Sequence, residues 1–472
     1  MTKGANRMLL VILIAGLFCP MGARRHVRVG LLMPYNRTEL IPLMGFSTTA
    51  GAVMLALDRI RDEHILDDVD FSFYWEDSRC EESASIGAGT KLILESKVDV
   101  ILGPPCSAGA FVAAIMATYY NVAVVGWGAS FYEAKDLVRF PTYSRTDVGS
   151  DDLARAIAEV MDYFQWVEFA LIYSDDMLRR ECYFINEGMD IVFADLAYSF
   201  TNTYSFVVNG SPTTNDYDVF LDAIKPRARI VIACLDDPED ERDFMVRVHE
   251  RGMDTDEYVY ILPDLHDNDG GSILAGSVAV GDKQRWNDRS PNPDGKDDLA
   301  KKGYEKALII TVELASGDEV DKMRKEIPSR MKQPPFNCTT MCDGPEYQYG
   351  STYSPYLYDA MYVYALSLNK TLQMDPVNGQ RNGSMIQDNC ESNFSGMTGD
   401  VRINRNGNRL PTLVVRGFDE YLNLIELAYV NVSQPNGHTV QLNVSSASVF
   451  WGARSGDVQP LSRPICGFTG LD

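Results

Sequence analysis

The sequence predicts an α/β protein of two lobes, each built on a doubly wound and mainly parallel sheet. Short apolar segments that suit buried strands alternate with segments whose apolar residues recur at helical spacing. This alternation occurs twice, once before and once after Phe140-Pro141-Thr142. The chain has 472 residues, which is more than one hydrophobic core usually organises.

The first series opens with strand Val27–Met33. Helix Phe46–Glu63 follows, because its apolar residues recur every three or four positions from Ala50 to Ile60. Regular alternation of this kind favours parallel strands with helices on both faces of the sheet. The remaining elements are, in order, strand Asp70–Trp75, helix Ser83–Glu95, strand Val98–Leu102, helix Ser107–Tyr119 and strand Val122–Val125.

The second series opens with helix Asp151–Phe164, for which Ser150 is a suitable N-cap. Residues 266–303 are polar and rich in Gly, Pro and Asp, which predicts a long exposed loop. Later, Pro355–Leu372 predicts a buried helix, and Phe394–Phe418 predicts a hairpin that turns at Asn406-Gly407. The predicted strands of this series are Phe169–Tyr173, Arg229–Cys234 and Tyr258–Leu262.

These elements assign residues 27–140 to lobe 1 and residues 141–264 to lobe 2. The chain is then expected to return to lobe 1 over residues 265–393, which include the loop 266–303, and to end in lobe 2 over residues 394–465. Hinges are expected near residues 140, 265 and 393, with a cleft between the lobes.

Residues 1–23 have the order of a secretory signal peptide. Lys3 and Arg7 precede an uncharged apolar run from Leu9 to Phe18, and small residues follow up to Ala23. An N-terminal membrane anchor is the alternative, although the run is short for a span. No later segment has 18 uncharged apolar residues, so the mature chain is expected to have no transmembrane helix of its own.

Eight cysteines remain after cleavage, because Cys19 leaves with the signal peptide. An even number of cysteines in a secreted chain favours disulfides over metal ligation. Asn-x-Ser/Thr glycosylation sequons support the same compartment. The cysteines are Cys80, Cys106, Cys182, Cys234, Cys338, Cys342, Cys390 and Cys466. The sequons begin at Asn36, Asn209, Asn337, Asn369, Asn382, Asn393, Asn431 and Asn443.

The composition and motifs argue against several classes of protein. The formal net charge is −23, or −25 after cleavage, which repels nucleic acid and anionic lipid. No Gly-x-Ser-x-Gly, phosphate-binding or dinucleotide-binding pattern occurs, and none of the five His has metal-ligand spacing to another. Acidic pairs such as Asp151-Asp152 are interpreted as exposed turns or helix starts. We therefore expect no catalytic site, no metal and no cofactor.

A ligand is expected at the C-terminal ends of the lobe 1 strands, where helix N-termini offer free N–H groups. Ser107 opens one such helix, and Trp127 and Ser130 lie in the loop after the next strand. These three are the candidate ligand-binding residues. The alternative is that the neighbouring glycines only form tight turns and that Trp127 packs between the lobes.

Several segments occur in an order that is typical of one receptor family. VDVILGPPC is followed by a helix and by WGAS, and RFPTYSRT is followed by EVMDYFQWVEFALIYSDD. YLYDAMYVYALSLN, FSGMTGDVRINRNGNR and the tail RPICGF come later. Over roughly residues 27–468 the chain thus resembles the ligand-binding region of natriuretic-peptide receptors and nematode-type receptor guanylate cyclases. The resemblance implies a two-lobe fold like that of type I periplasmic binding proteins, with residues 466–472 as a juxtamembrane-like tail.

The resemblance also implies two disulfides, Cys80–Cys106 and Cys182–Cys234. Cys338, Cys342 and Cys390 leave an odd number, so Cys466 either joins one of them or bridges two chains.

Natriuretic-peptide receptors also bind chloride with a Ser hydroxyl and two main-chain N–H groups. Ser78 and Cys106 are the corresponding residues here. Pro105 stands where the second N–H should be and has none, so the chloride site lacks one of its donors.

The implied function is that of an extracellular ligand-binding module of a receptor guanylate cyclase-like protein, with no cyclase domain in this chain. Its partners would be an unknown extracellular peptide or small molecule and a second copy of the chain. Helices Phe46–Glu63 and Ser83–Glu95 would supply the dimer face, with Ile93 and Leu94 as candidates and plain core as the alternative for both.

The chain is expected to be secreted or to lie on the extracellular side of the plasma membrane, which it would reach only through a segment outside this chain. A soluble secreted binding protein or decoy of the same fold is the alternative function. A secreted enzyme is a third hypothesis.

Overall fold

The computed structural model describes residues 24–36, 40–175, 180–194, 198–265, 284–288, 290, 292–312, 318–344, 347–421, 423–432, 440–445 and 447–468. The predicted signal peptide (1–23) and the first part of the predicted loop (266–283) lie outside the described residues. Within them the chain forms two large sheets flanked by helices and one two-stranded sheet.

Lobe 1 is built on a five-stranded sheet in the order β2-β1-β3-β4-β5, and all its strand pairs are parallel. Val27, Val29, Leu31 and Leu32 of the interior strand β1 are fully buried, as expected for a strand covered on both faces. The strands are β1 (Arg25–Met33), β2 (Val69–Asp77), β3 (Val100–Leu102), β4 (Ala123–Gly126) and β5 (Tyr143–Arg145). The helices are α1 (Ile41–Met44), α2 (Phe46–Thr49), α3 (Ala52–Asp62), α4 (Glu82–Leu94) and α5 (Ser107–Tyr120).

Lobe 2 is built on an eight-stranded sheet in the order β15-β14-β13-β10-β9-β8-β6-β7. The strands from β6 to β10 pair in parallel, and β13, β14 and β15 add an antiparallel edge beside β10. The first strands are β6 (Glu168–Asp175), β7 (Thr201–Asn209), β8 (Ile230–Cys234), β9 (Val259–Asp264) and β10 (Ala307–Val312). The helices among them are α6 (Ser150–Tyr163), α7 (Glu181–Phe193), α8 (Thr214–Ile224), α9 (Pro238–Glu250) and α10 (Asp297–Tyr304).

The chain then returns to lobe 1 and crosses to lobe 2 once more. The returning elements are α11 (Asp318–Met331), α12 (Ser354–Met374), α13 (Gly383–Asp388), β11 (Ser392–Gly396) and β12 (Gly399–Ile403). The last elements, in lobe 2, are β13 (Thr412–Phe418), β14 (Leu424–Asn431), β15 (Val440–Leu442) and α14 (Ala447–Phe450). Helices α3, α11 and α12 cover one face of the lobe 1 sheet, whereas α4 and α5 cover the other. The predicted fold class is confirmed.

The lobe boundaries differ from those that the sequence predicted. Strand β5 still pairs with β4, so the first crossing follows Arg145 rather than residue 140. Strand β10 belongs to the lobe 2 sheet, so the return to lobe 1 follows Val312 rather than residue 265. Strands β11 and β12 pack on α12 through Val363, Val401 and Ile403, so the last crossing follows Ile403 rather than residue 393.

The predicted exposed loop 266–303 is wrong at its end, because α10 begins at Asp297. Arg242 of α9 binds Asp294 at 2.7 Å and Asp297 at 2.9 Å, and these ion pairs hold the acidic segment against lobe 2. The predicted hairpin also differs, since β11 turns into β12 at Met397-Thr398. Asn406-Gly407 does form a turn, but it joins Ile403 to Arg409 through an isolated bridge.

No single helix in the described part of the chain is long and apolar enough to cross a membrane, although the bent succession of α1, α2 and α3 meets both criteria when taken together.

Candidate functional site

The first and last crossings between the lobes run side by side. The backbone N–H of Arg145 donates to Gly407 O at 2.8 Å. Arg409 Nη1 donates to Thr146 O at 2.9 Å. Because each bond joins one crossing to the other, the two segments form a single hinge.

A buried carboxylate fixes this hinge to lobe 1. Asp359 of α12 accepts hydrogen bonds from the backbone N–H groups of Met397 and Thr398 at 2.8 and 2.9 Å. The Thr398 hydroxyl in turn accepts from Arg409 Nη1 at 2.7 Å. Burial raises the pKa of Asp359, although the Thr398 hydrogen bonds and the Arg409 charge act in the opposite direction. Asp359 thus anchors the hinge through Thr398 and Arg409.

The predicted ligand-binding residues lie near one another but are inaccessible in this arrangement. The Ser130 N–H donates to Ser107 Oγ at 3.0 Å, so the two loops that carry them meet. Both serines are buried, and Trp127 is fully buried in the lobe 1 core. Trp127 thus packs within lobe 1 rather than between the lobes, and none of the three side chains is open to a ligand in this arrangement.

The acidic pair Asp151-Asp152, which the sequence placed in an exposed turn or helix start, is buried in the first turn of α6. Lys135, from a 3-10 turn of lobe 1, donates to both carboxylates, at 2.9 Å in the case of Asp152. Burial and the neighbouring Asp151 raise the pKa of Asp152, although Lys135 and Arg145 oppose the shift. Burial acts to lower the pKa of Lys135, but Asp152 and Asp151 outweigh it and raise that pKa. Sequence reasoning missed Lys135, because nothing local marks it as the partner of a distant helix.

A small cavity lies on the lobe 2 side of the cleft, beside Tyr353 of lobe 1. Its volume is about 30 Å³, which suits a water molecule rather than an organic ligand. Arg285 binds Glu241 at 2.8 Å and also pairs with Asp264 in the cavity wall. The Tyr304 hydroxyl donates to Glu241 at 2.8 Å. These paired charges hold the wall of the cleft in place.

An open groove of about 420 Å³ lies in lobe 1. It lies between α3, α11 and α12, and Leu55, Met323 and Tyr358 are among its lining residues. The candidate ligand-binding residues Ser107, Trp127 and Ser130 are not among those that line this groove.

The predicted cysteine pairs are both present as disulfides. Cys80–Cys106 joins the end of β2 to the start of α5, and Cys182–Cys234 joins α7 to the end of β8, each with Cα atoms 5.4 Å apart. Cys338 pairs with Cys342, which leaves Cys390 and Cys466 unbridged among the described residues. Cys390 is buried, and burial raises the pKa of its thiol to about 12. The expected link between Cys466 and one of the three other cysteines is therefore not formed within this chain.

The residues that correspond to a chloride site fit it incompletely. Ser78 is fully buried, and its Oγ accepts from the Cys80 N–H at 3.4 Å. Pro105 offers no N–H beside Cys106. Among the residues that the structure describes, no group of three or more His, Cys, Asp or Glu side chains is placed to hold a metal ion.

The predicted dimer-face residues differ in exposure. Ile93 is 9% exposed and belongs to the lobe 1 core, whereas Leu94 is 54% exposed. Helix α3 packs against α11 and α12, and the expected contribution of Phe46–Glu63 to a dimer face stays a prediction. Exposed apolar side chains lie instead on the outer helices of the opposite face, namely Ile86, Leu94, Ile115 and Tyr119. None of the predicted glycosylation sequons lies on these two helices, α4 and α5.

A family model described as the receptor family ligand binding region matches residues 48–420. Receptor-type guanylate cyclase gcy-13 of Caenorhabditis elegans is 30% identical over 430 residues, which are 90% of this chain and 41% of that protein. Receptor-type guanylate cyclase gcy-14 of the same species is 31% identical over 463 residues, 94% of this chain and 40% of that protein. Receptor-type guanylate cyclase gcy-4 of Caenorhabditis briggsae is 28% identical over 98% of this chain and 41% of its own length. The chain therefore spans about two fifths of the length of these relatives.

Proposed function

Since this chain belongs to the family of receptor ligand-binding regions, we propose that it senses an extracellular ligand for a receptor guanylate cyclase. The family match over residues 48–420 carries the proposal. The curated relatives are receptor-type guanylate cyclases, and the ligand-binding region is the part of them that this chain resembles. Cyclic GMP synthesis belongs, in this proposal, to the part of those proteins outside the matched region.

Ligand binding would act by shifting an equilibrium between two arrangements of the lobes. The adjoining crossings around Arg145 and Gly407 provide a hinge that a rigid lobe can rotate about. The ligand would enter the cleft beside the Ser107 and Ser130 loops, whose side chains are buried in the present arrangement. A ligand that favours the rearranged state would thus change the geometry of the whole chain.

A second copy of the chain is the partner that would convert this geometry into a signal. The surface of α4 and α5 supports this, because it carries the exposed side chains of Ile86, Leu94, Ile115 and Tyr119 and no sequon. A two-fold pair would present the same two helices from each copy. The net charge of −23 opposes close approach, so we expect weak association that salt strengthens.

A chimeric receptor tests this function without knowledge of the ligand. Residues 24–468 would replace the matched region of the gcy-13 relative, and cyclic GMP would be measured in cells. Tyr119→Glu is compared with Val377→Glu, because the two side chains are 83% and 80% exposed but only Tyr119 lies on α5. We expect Tyr119→Glu to change cyclic GMP output and Val377→Glu to leave it unchanged. Equal output from all three chimeras would contradict the proposal.

A further inference from the structure

The lobes meet at a buried ion pair beside the hinge. Lys135 belongs to lobe 1, where the adjacent Ala134 packs in the core. Asp151 and Asp152 belong to lobe 2, where they start α6. The Lys135 side chain is 37% exposed, whereas the two carboxylates are 8% and 9% exposed. The contact between them therefore exists only while the lobes keep this arrangement.

Lys135 is the only one of the two nearby cations that hydrogen-bonds these carboxylates. Arg145 Nη2 lies 3.7 Å from Asp151 and 3.9 Å from Asp152, which is beyond hydrogen-bond distance, and its Nη1 donates instead to Phe131 O at 3.2 Å. Arg145 also precedes the two aspartates closely in the chain, so it stays near them whichever way the lobes turn. Loss of Lys135 would leave two adjacent buried carboxylates without a hydrogen-bonded cation.

The α6 N-terminus reduces this cost only in part. Negative charge is favoured in the first turn of a helix. The Gly149 N–H donates to Asp152 Oδ2 at 3.3 Å. The carboxylates nevertheless repel each other, and Asp147 adds a third acidic side chain beside Arg145. A cation from the other lobe is what brings this group close to neutrality.

An apolar contact accompanies the ion pair at the same boundary between the lobes, which we call the seam. Phe184, in the first turn of α7 of lobe 2, belongs to the same core as Phe131 and Phe140 of lobe 1. Arg180 lies over the ring of Tyr183 at 4.0 Å and over that of Phe184 at 5.7 Å. Separation of the lobes would expose Phe184 and release Lys135 together.

We propose that Lys135 is a latch, whose ion pair with Asp151 and Asp152 holds the two lobes in the arrangement seen here. Release of the latch is the step that lets the cleft open at Ser107 and Ser130. This proposal rests on the proposed function in one respect, because both take movement of the lobes as the response to ligand. Its effect on the lobes does not require ligand, a second copy or a cyclase.

Hydrogen exchange on the full chain tests the latch. The Lys135→Met variant keeps the length of the side chain and removes its charge. We expect exchange to rise at least about tenfold in peptides covering residues 131–140 and 181–187, because an unpaired buried charge disfavours the closed state. Core strands β1 and β8 should keep their protection. The matched control is Lys332→Met, which removes an exposed pair with Asp343 that spans 2.7 Å within lobe 1.

Wild-type exchange at both seam peptides in Lys135→Met would overturn the latch. Lys135→Met could instead raise exchange throughout both lobes. The triple variant Lys135→Met/Asp151→Asn/Asp152→Asn then separates a latch from general destabilisation, since neither Asp151 nor Asp152 remains as an uncompensated carboxylate. Protected core strands with a faster-exchanging seam in that variant would support the latch, and a seam protected as in the wild type would refute it. If Lys135→Met raises exchange at the seam but the chimeras give equal cyclic GMP output or the chain does not self-associate, the result counts against the proposed function alone.

Discussion

Gly407→Ala should weaken the hinge by an amount that its surroundings allow to be worked out. Gly407 has φ +74°, a conformation that costs an L-residue about 1 kcal/mol. A Cβ there would lie 2.9 Å from Tyr143 O and 3.0 Å from Ser144 Cα, both in β5, which leads directly into the first crossing. Overpacking against backbone adds about 1–3 kcal/mol, because neither atom is the end of a flexible side chain.

Gly252→Ala is the matched control for this substitution. Gly252 has φ +62°, and an added Cβ there would meet nothing within 4 Å. Both variants therefore carry the left-handed strain and the same change in unfolded-chain entropy, and only Gly407→Ala disturbs the two crossings. An extra loss of about 2 kcal/mol corresponds to a melting temperature roughly 2 °C below that of Gly252→Ala, because the entropy of unfolding of a chain of this length is about 0.9 kcal/mol/K. Equal melting temperatures in scanning calorimetry would refute the tight contact between the crossings.

Three further predictions concern the disulfides, acid stability and chloride. Replacing Cys182 and Cys234 by serine should cost about 4 kcal/mol in chemical denaturation, because the bridge spans 52 residues; unchanged stability would show that the bond is not formed. Hydrogen bonds from Ser290 and Asp294 overcome the effect of burial and lower the pKa of Asp288 to about 2, from an ordinary value of 3.8. Its contribution to stability should be complete above about pH 4 and disappear as the pH falls through about 2, so the melting temperatures of wild type and Asp288→Asn should converge over that range. A difference between the two melting temperatures that grows as the pH falls would contradict this prediction. Chloride should change the melting temperature no more than an inert anion at equal ionic strength, since Pro105 removes a donor; a specific chloride effect would restore the halide site.

The alternation of strands and helices was predictable because it depends on local pattern. A parallel strand with helices on both faces must be apolar along its buried length, as residues 29–33 are. The same logic failed at α10, which is short and polar. Its position depends on ion pairs from Asp294 and Asp297 to Arg242 of another helix, and no periodicity in residues 297–304 records that partner.

The candidate site was predictable only where chain geometry determines it. The ends of β3 and β4 had to lie side by side in a parallel sheet, which brought Ser107 and Ser130 into contact. The packing of Trp127 into the lobe 1 core could not be predicted in the same way. The sequence also could not indicate that Asp151 and Asp152 face Lys135, because an acidic pair at a helix start occurs equally well in water. The sequence could have predicted that the Tyr119 side chain is accessible. Tyr119 follows Ile115 by four residues, on the side of α5 opposite the buried Ala113 and Ala117.

Sedimentation equilibrium of residues 24–468 tests most directly whether the chain works as one half of a symmetric receptor. We expect reversible association at micromolar concentration that strengthens with salt, because the net charge of −23, or −25 without residues 1–23, resists close approach of two copies. Tyr119→Glu should abolish the association, whereas Val377→Glu should not. A strict monomer at high concentration and moderate salt would contradict the dimeric receptor and favour a soluble binding protein of the same fold.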